Sequence, residues 1–205
     1  MRDLDRALAD IGVIRAQLAR DVAFRGYGPA TLAATGLLAL LVAAGQSCWL
    51  GDPTSRLNLY FALWIAAAVV AALLVGGETV ARSRRLHSRL AEPLIYNAIQ
   101  QFLPAGVAGL LLYLVLSRYQ PENLWMLPGL WQVLVSLGIF SAARSLHGAV
   151  VLVAAWYLLC GLACLMAASA NHLLSPWAMG TPFGVGQLLF AGILHYSLGG
   201  GDAED

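Results

Sequence analysis

A chain of 205 residues that is 60% hydrophobic and only 11% charged carries more apolar surface than a water-soluble domain can hide, because soluble chains are about half apolar and about a quarter charged. Lipid has to cover the excess, and the formal net charge of +1 excludes a nucleic-acid footprint borne by the chain as a whole. All of the basic residues are arginine, and the three cysteines, Cys48, Cys160 and Cys164, lie in or beside apolar runs where a thiol acts as a packing residue.

Residues 1–28 come first. Leu4, Leu8, Ile11, Leu18 and Val22 recur at three- and four-residue steps among Arg, Asp and Gln, the pattern of an amphipathic helix lying on a membrane surface or packing on another helix. Arginine and aspartate recur too often here for a cleavable signal peptide, so the first apolar run is expected to remain in the mature protein. Six runs then approach the length of about 20 residues needed to cross a bilayer: Pro29–Leu50, Leu59–Gly77, Phe102–Ser117, Leu124–Ala143, Ala149–Ser169 and Trp177–Leu198. The third becomes long enough if its helix starts near Pro93 and passes through Pro104 with a kink. The connection from Glu78 to Glu92 is arginine-rich and reads as a peripheral, lipid-headgroup-contacting segment, with Glu92-Pro93 as the break before the third span. Residues 199–205 form a short acidic tail.

Arginine placement orients the chain, since short cytoplasmic connections retain basic residues. Arg2, Arg6, Arg15, Arg20, Arg25, Arg82, Arg84, Arg85, Arg89 and Arg144 fall on one side, against Arg56 and Arg118 on the other. Both termini are therefore expected in the cytoplasm. The opposite connections are short and rich in turn formers, such as Gly51-Asp52-Pro53 and Gln120-Pro121-Glu122. The expected fold is all-α: a polytopic bundle of about six transmembrane helices arranged as three outward-pointing hairpins, with the amphipathic helix at its N-terminus.

Charge inside a membrane is costly and so marks function, but only Glu78 and Arg144 approach the spans. They could form an ion pair or gate facing a cytoplasmic vestibule; anchoring at the interface by snorkelling explains them more simply. The absence of mid-span acids argues against proton- or cation-coupled transport. Gln132 and Gln187, with Ser136 and Thr181, are the intramembrane polar candidates, either as interhelical hydrogen bonds or as ligand contacts. Gly180-x-x-x-Gly184 and Ala105-x-x-x-Gly109 offer small-residue faces for close helix approach, and the glycine- and proline-bearing sixth span is the most irregular. The stretch Pro128-Gly129-Leu130-Trp131-Gln132 echoes Gly184-Val185-Gly186-Gln187: both are Gly-x-x-Gln with a proline just before and two aliphatics after, a candidate internal repeat.

His147 and His195 could ligate haem from two helices, although neither lies deep in its span and interfacial roles account for both. No metalloprotease, serine-hydrolase or phosphate-loop signature occurs. No catalytic residue, metal or cofactor is expected.

Arg25-Gly26-Tyr27-Gly28-Pro29-Ala30-Thr31, Gln101-Phe102-Leu103-Pro104-Ala105-Gly106, the run from Trp125 to Gln132, and Ser175-Pro176-Trp177-Ala178-Met179-Gly180 together resemble an uncharacterised group of bacterial six-span inner-membrane proteins. The resemblance covers the whole chain and implies an inner-membrane location, no established activity and no site residues. Such proteins tend to be encoded beside small winged-helix regulators, which implies a cytoplasmic protein partner. Two functional readings follow. One is a non-enzymatic sensor or scaffold that contacts membrane lipids, assembles as a homo-oligomer, or presents a basic cytoplasmic surface to a partner, without direct nucleic-acid binding. The other is a small transporter or channel subunit with a cavity between spans four and six. A haem-binding redox subunit is third.

Overall fold

In the computed structural model the backbone is described for residues 28–85, 91–143 and 148–199, and side chains for 28–81, 103–143 and 148–196. The expected N-terminal amphipathic helix, residues 86–90 of the arginine-rich connection and residues 200–205 of the acidic tail lie outside the described backbone. Among the described residues six α-helices follow in chain order: α1 Pro29–Trp49, α2 Leu57–Arg85, α3 Ala91–Tyr119, α4 Leu127–Ala143, α5 Val150–Ala168 and α6 Trp177–Gly199. No strand occurs among the described residues. Five of these helices are long and apolar enough to cross a membrane, and the described apolar part of α3, Leu103–Tyr119, is shorter.

The helix ends follow from local chemistry. Pro29 stands in the first turn of α1 after an extended Gly28, where its missing N–H costs nothing. Beyond α1, Gly51 takes a φ of 66°, a left-handed turn that glycine adopts without penalty. Asp52 then accepts a 2.9 Å hydrogen bond from the Thr54 N–H and caps the 3-10 turn Pro53–Arg56 that leads into α2. A second 3-10 turn, Pro121–Met126, precedes α4. One expectation changes: α2 does not stop near Gly77 but continues helically to Arg85. Ala81 and the arginines after it are strong helix formers with no breaker among them, so Glu78 lies within a helix rather than in a connection.

Each helix packs against its chain neighbours, and α6 returns to α1, so the antiparallel helices close a ring in chain order. A further contact between α4 and α6 sets α5 outside the line joining them. Residues such as Leu41, Leu73, Leu152 and Met166 point outward and are largely exposed, as lipid-facing positions should be. Inside, one apolar cluster gathers Tyr60, Phe61, Trp64, Leu127 and Met179 toward the end with the three short loops. Another gathers Val150, Val153, Tyr157 and Leu194 toward the opposite end.

The two closest pairs, α1 with α6 and α4 with α5, use one packing device twice. In α4–α5, a Cβ placed on Gly161 would lie 2.8 Å from the Gly129 carbonyl oxygen and 3.1 Å from Gln132 Cβ. In α1–α6, a Cβ on Gly36 would lie 3.0 Å from the Gly184 carbonyl oxygen and 3.1 Å from Gln187 Cβ. A glycine of one helix thus sits between the glycine and the glutamine of a Gly-x-x-Gln on its neighbour, where a side chain would be tightly crowded. The sequence echo between the fourth and sixth spans is a repeated contact in space.

Most other interfaces carry a side-chain hydrogen bond to backbone. Gln46 Nε2 donates to the Tyr60 carbonyl at 3.1 Å while its Oε1 accepts from Trp64 Nε1, joining α1 to α2. Trp131 Nε1 reaches the Gly109 carbonyl, Ser136 Oγ the Ala154 carbonyl and Trp156 Nε1 the Pro182 carbonyl. These join α3–α4, α4–α5 and α5–α6. The α2–α3 interface is the sparsest between chain neighbours; its aromatic contact, Phe61 with Tyr113 at 5.5 Å, lies at the short-loop end.

Candidate functional site

Where α2 and α3 part, they leave a cavity of about 460 Å³, within the range of roughly 300–1,000 Å³ that suits a small ligand. Its walls come from five helices. Ala67, Ala68, Ala71 and Ala72 of α2 form one wall and Ala105, Gly106 and Gly109 of α3 another. Trp131, Leu134 and Val135 of α4 face Thr35 and Ala39 of α1, and Met179, Phe183 and Gln187 of α6 complete the lining. These positions fall near the middle of α1, α2 and α3, well away from the loops. Ala68, Ala72 and Gly106 line the cavity yet are exposed, and a Cβ on Gly106 would meet nothing within 4 Å. Among the described residues the opening is therefore lateral, between α2 and α3, at mid-height of these helices.

Alanine and glycine make this space. On α2 the small residues recur at 67, 68, 71 and 72, which places them on one helical face, and with larger residues there α2 and α3 would fill the gap between them. The lining is almost wholly apolar. Thr35 spends its hydroxyl on the Leu32 carbonyl of its own helix at 2.8 Å, which leaves Gln187 as the distinctive polar group.

The two glutamines singled out by sequence have different fates. Gln132 is fully buried and does not line the cavity. Its Nε2 donates to the Ala178 carbonyl at 2.8 Å. That carbonyl is four residues before Pro182, which lies inside α6 and has no N–H to offer it, so Gln132 repairs the gap that the proline opens. Gln187 lines the cavity instead, with its Oε1 buried and without a hydrogen-bond partner. Gln132 Oε1 is likewise buried and unpartnered. Behind Gln187, the Tyr157 hydroxyl faces that side chain, and Tyr157 reaches this position because residue 186 is glycine. A Cβ there would lie 2.6 Å from the Tyr157 ring.

The other candidates are structural or peripheral. Gly180 packs on Ala43 and Gly184 on Leu40, both in the α1–α6 seam. Glu78 lies at the opposite end, its carboxylate against Gly28 at the N-terminus of α1, where the helix dipole favours negative charge. Arg144, its proposed partner, lies outside the described residues, as does the haem candidate His147. His195 is exposed near the end of α6, edge-on to Tyr196 at 5.9 Å. Among the described residues no cluster of three His, Cys, Asp or Glu could hold a metal ion. Sequence reasoning missed Gln46, whose two hydrogen bonds clamp α1 to α2, and missed the alanine face of α2, whose spacing was its visible signal. Comparison with protein-family models, with curated proteins and with solved structures yields no match to this chain.

Proposed function

We propose that this chain is a non-enzymatic, multi-pass membrane receptor that takes a lipid-soluble molecule into the cavity between α2 and α3, and that it acts as a sensor or scaffold. The observation that carries this reading is the mid-span position and lateral opening of an apolar cavity of about 460 Å³. A solute arriving there comes through lipid rather than water. Transport of a polar solute has less support, because such a route would have to join Gln132 to Gln187, and Gln132 is sealed in the α4–α6 contact. The arginine bias supports a receiving end on the cytoplasmic side, and the resemblance supports a bacterial inner membrane. There residues 1–28 and the arginine-rich connection would meet a second copy or a soluble partner, such as the winged-helix regulators that accompany the proteins it resembles. Separation or approach of α2 and α3 on ligand binding is the motion that α2, helical as far as Arg85, would carry to that end.

Native mass spectrometry of the protein released from lipid nanodiscs tests the reading. The wild type should retain a lipid-phase molecule, and Ala68→Trp, which fills the opening, should release it. Equal retention by both would remove the basis for a receptor.

A further inference from the structure

We infer that the occupant of this cavity is a long-chain molecule held by one carbonyl oxygen, as in an ester, ketone or quinone, which accepts a hydrogen bond from Gln187 Nε2; this rests on the receptor reading above. The repeated packing device supplies the argument. Gln132 and Gln187 stand at the same position of the same Gly-x-x-Gln motif, each with its Cβ 3.1 Å from where a Cβ of the opposing glycine would lie. In both, the amide Oε1 is buried and unpartnered. The two glutamines therefore occupy matching positions in the repeat, and Gln132 displays what such an amide does with its nitrogen: it donates to a carbonyl oxygen 2.8 Å away.

For Gln132 that oxygen belongs to Ala178 on the next descending helix, α6. The corresponding descending neighbour of α6 is α2, but α2 stands across the cavity and presents its alanine face to Gln187. The place filled by a backbone carbonyl in one half of the repeat is cavity in the other. A donor in an apolar chamber that only lipid-phase molecules reach selects for an acceptor on a hydrocarbon body, because an amide left unpaired in such surroundings is costly. Charged headgroups are disfavoured, since the lining described above holds no charge to meet them.

The test uses delipidated full-length protein and three probes: methyl hexadecanoate carrying a ¹³C carbonyl, a decyl-tailed benzoquinone, and heptadecane. Retention is read by native mass spectrometry, and hydrogen bonding by the infrared carbonyl band of the labelled ester. The wild type should retain ester or quinone about fivefold better than heptadecane, the factor expected of one interhelical-strength hydrogen bond, and the ester band should shift to lower frequency. Whichever of ester and quinone is retained more identifies the source of the carbonyl. Gln187→Met should keep heptadecane binding while losing both the preference and the shift. Equal retention of all three probes without a shift would overturn the carbonyl inference and leave the receptor reading standing. Loss of all three from the wild type, or their full retention by Ala68→Trp, would overturn both. Should Gln187→Met fail to fold, the wild-type preference and band shift decide alone.

Discussion

The amide nitrogen of Gln132 lies 2.8 Å from the carbonyl oxygen of Ala178, the acceptor that Pro182 leaves without its helical donor. A break in one helix is thereby answered by a side chain from another, and the α4–α6 contact that results closes one wall of the cavity. Gln132→Leu should cost about 1–2 kcal/mol, read as unfolding free energy in mixed micelles. In a Pro182→Ala background the restored N–H serves Ala178, so the same substitution should cost markedly less. Identical costs in the two backgrounds would mean that the amide and the proline are not linked.

Glycines in this chain should divide into two groups. A Cβ on Gly129 would lie 2.6 Å from Leu165 Cγ and 2.7 Å from the Gly161 carbonyl oxygen, so Gly129→Ala forces α4 and α5 apart and should cost about 1–3 kcal/mol. A Cβ on Gly45 or Gly76 would meet nothing within 4 Å. Alanine at those positions should be neutral or mildly stabilising in the same unfolding measurement, because glycine is the poorer helix former.

Filling the cavity should leave the fold intact. Gly106 lies in open space and Ala68 is exposed, so Gly106→Leu and Ala68→Trp should retain wild-type helicity by circular dichroism and midpoints within a few degrees in the absence of added lipid. Protection by added lipid-phase ligand, read as a rise in midpoint, should appear in the wild type and vanish in both variants.

At the opposite end, the Glu78 carboxylate occupies the space that a side chain at position 28 would need. Gly28→Ala should displace it from the N-terminus of α1. Glu78→Gln keeps the shape and removes the charge, so it should lose the dipole interaction, about 0.3–1 kcal/mol. Gly28→Ala should exceed that cost, and the ranking is readable from unfolding midpoints.

Much of the fold could be read from residue order. Pro29, Gly51-Asp52-Pro53 and Pro121 mark helix boundaries within a residue or two of where they occur, and the start of α3 at Ala91 follows from the need to lengthen a short apolar run. The two Gly-x-x-Gln motifs were visible as an echo; that each receives a glycine from a different neighbour depends on which helices pair, and uniformly apolar helices carry little pattern to say so. Pro182 implies an orphaned Ala178 carbonyl by simple counting, whereas the donor comes from 46 residues earlier in the chain. The cavity was least legible. It arises from the distance between α2 and α3, a property of the assembled ring, whereas the intramembrane glutamines point to a cavity between the fourth and sixth spans alone. Extension of α2 to Arg85 is hidden in the sequence because a cluster of arginines marks the membrane periphery as readily as it continues a helix.

A receptor for a lipid-phase molecule requires the cavity to open to lipid rather than to water. Nitroxide labels at Ala68→Cys and Gly106→Cys, in a background where Cys48, Cys160 and Cys164 are replaced, report this through power-saturation electron paramagnetic resonance in bilayers. Both labels should be strongly relaxed by dissolved oxygen, which concentrates in lipid, and shielded from a water-soluble nickel chelate; strong relaxation by the chelate at either site would make the cavity an aqueous vestibule and contradict the receptor reading.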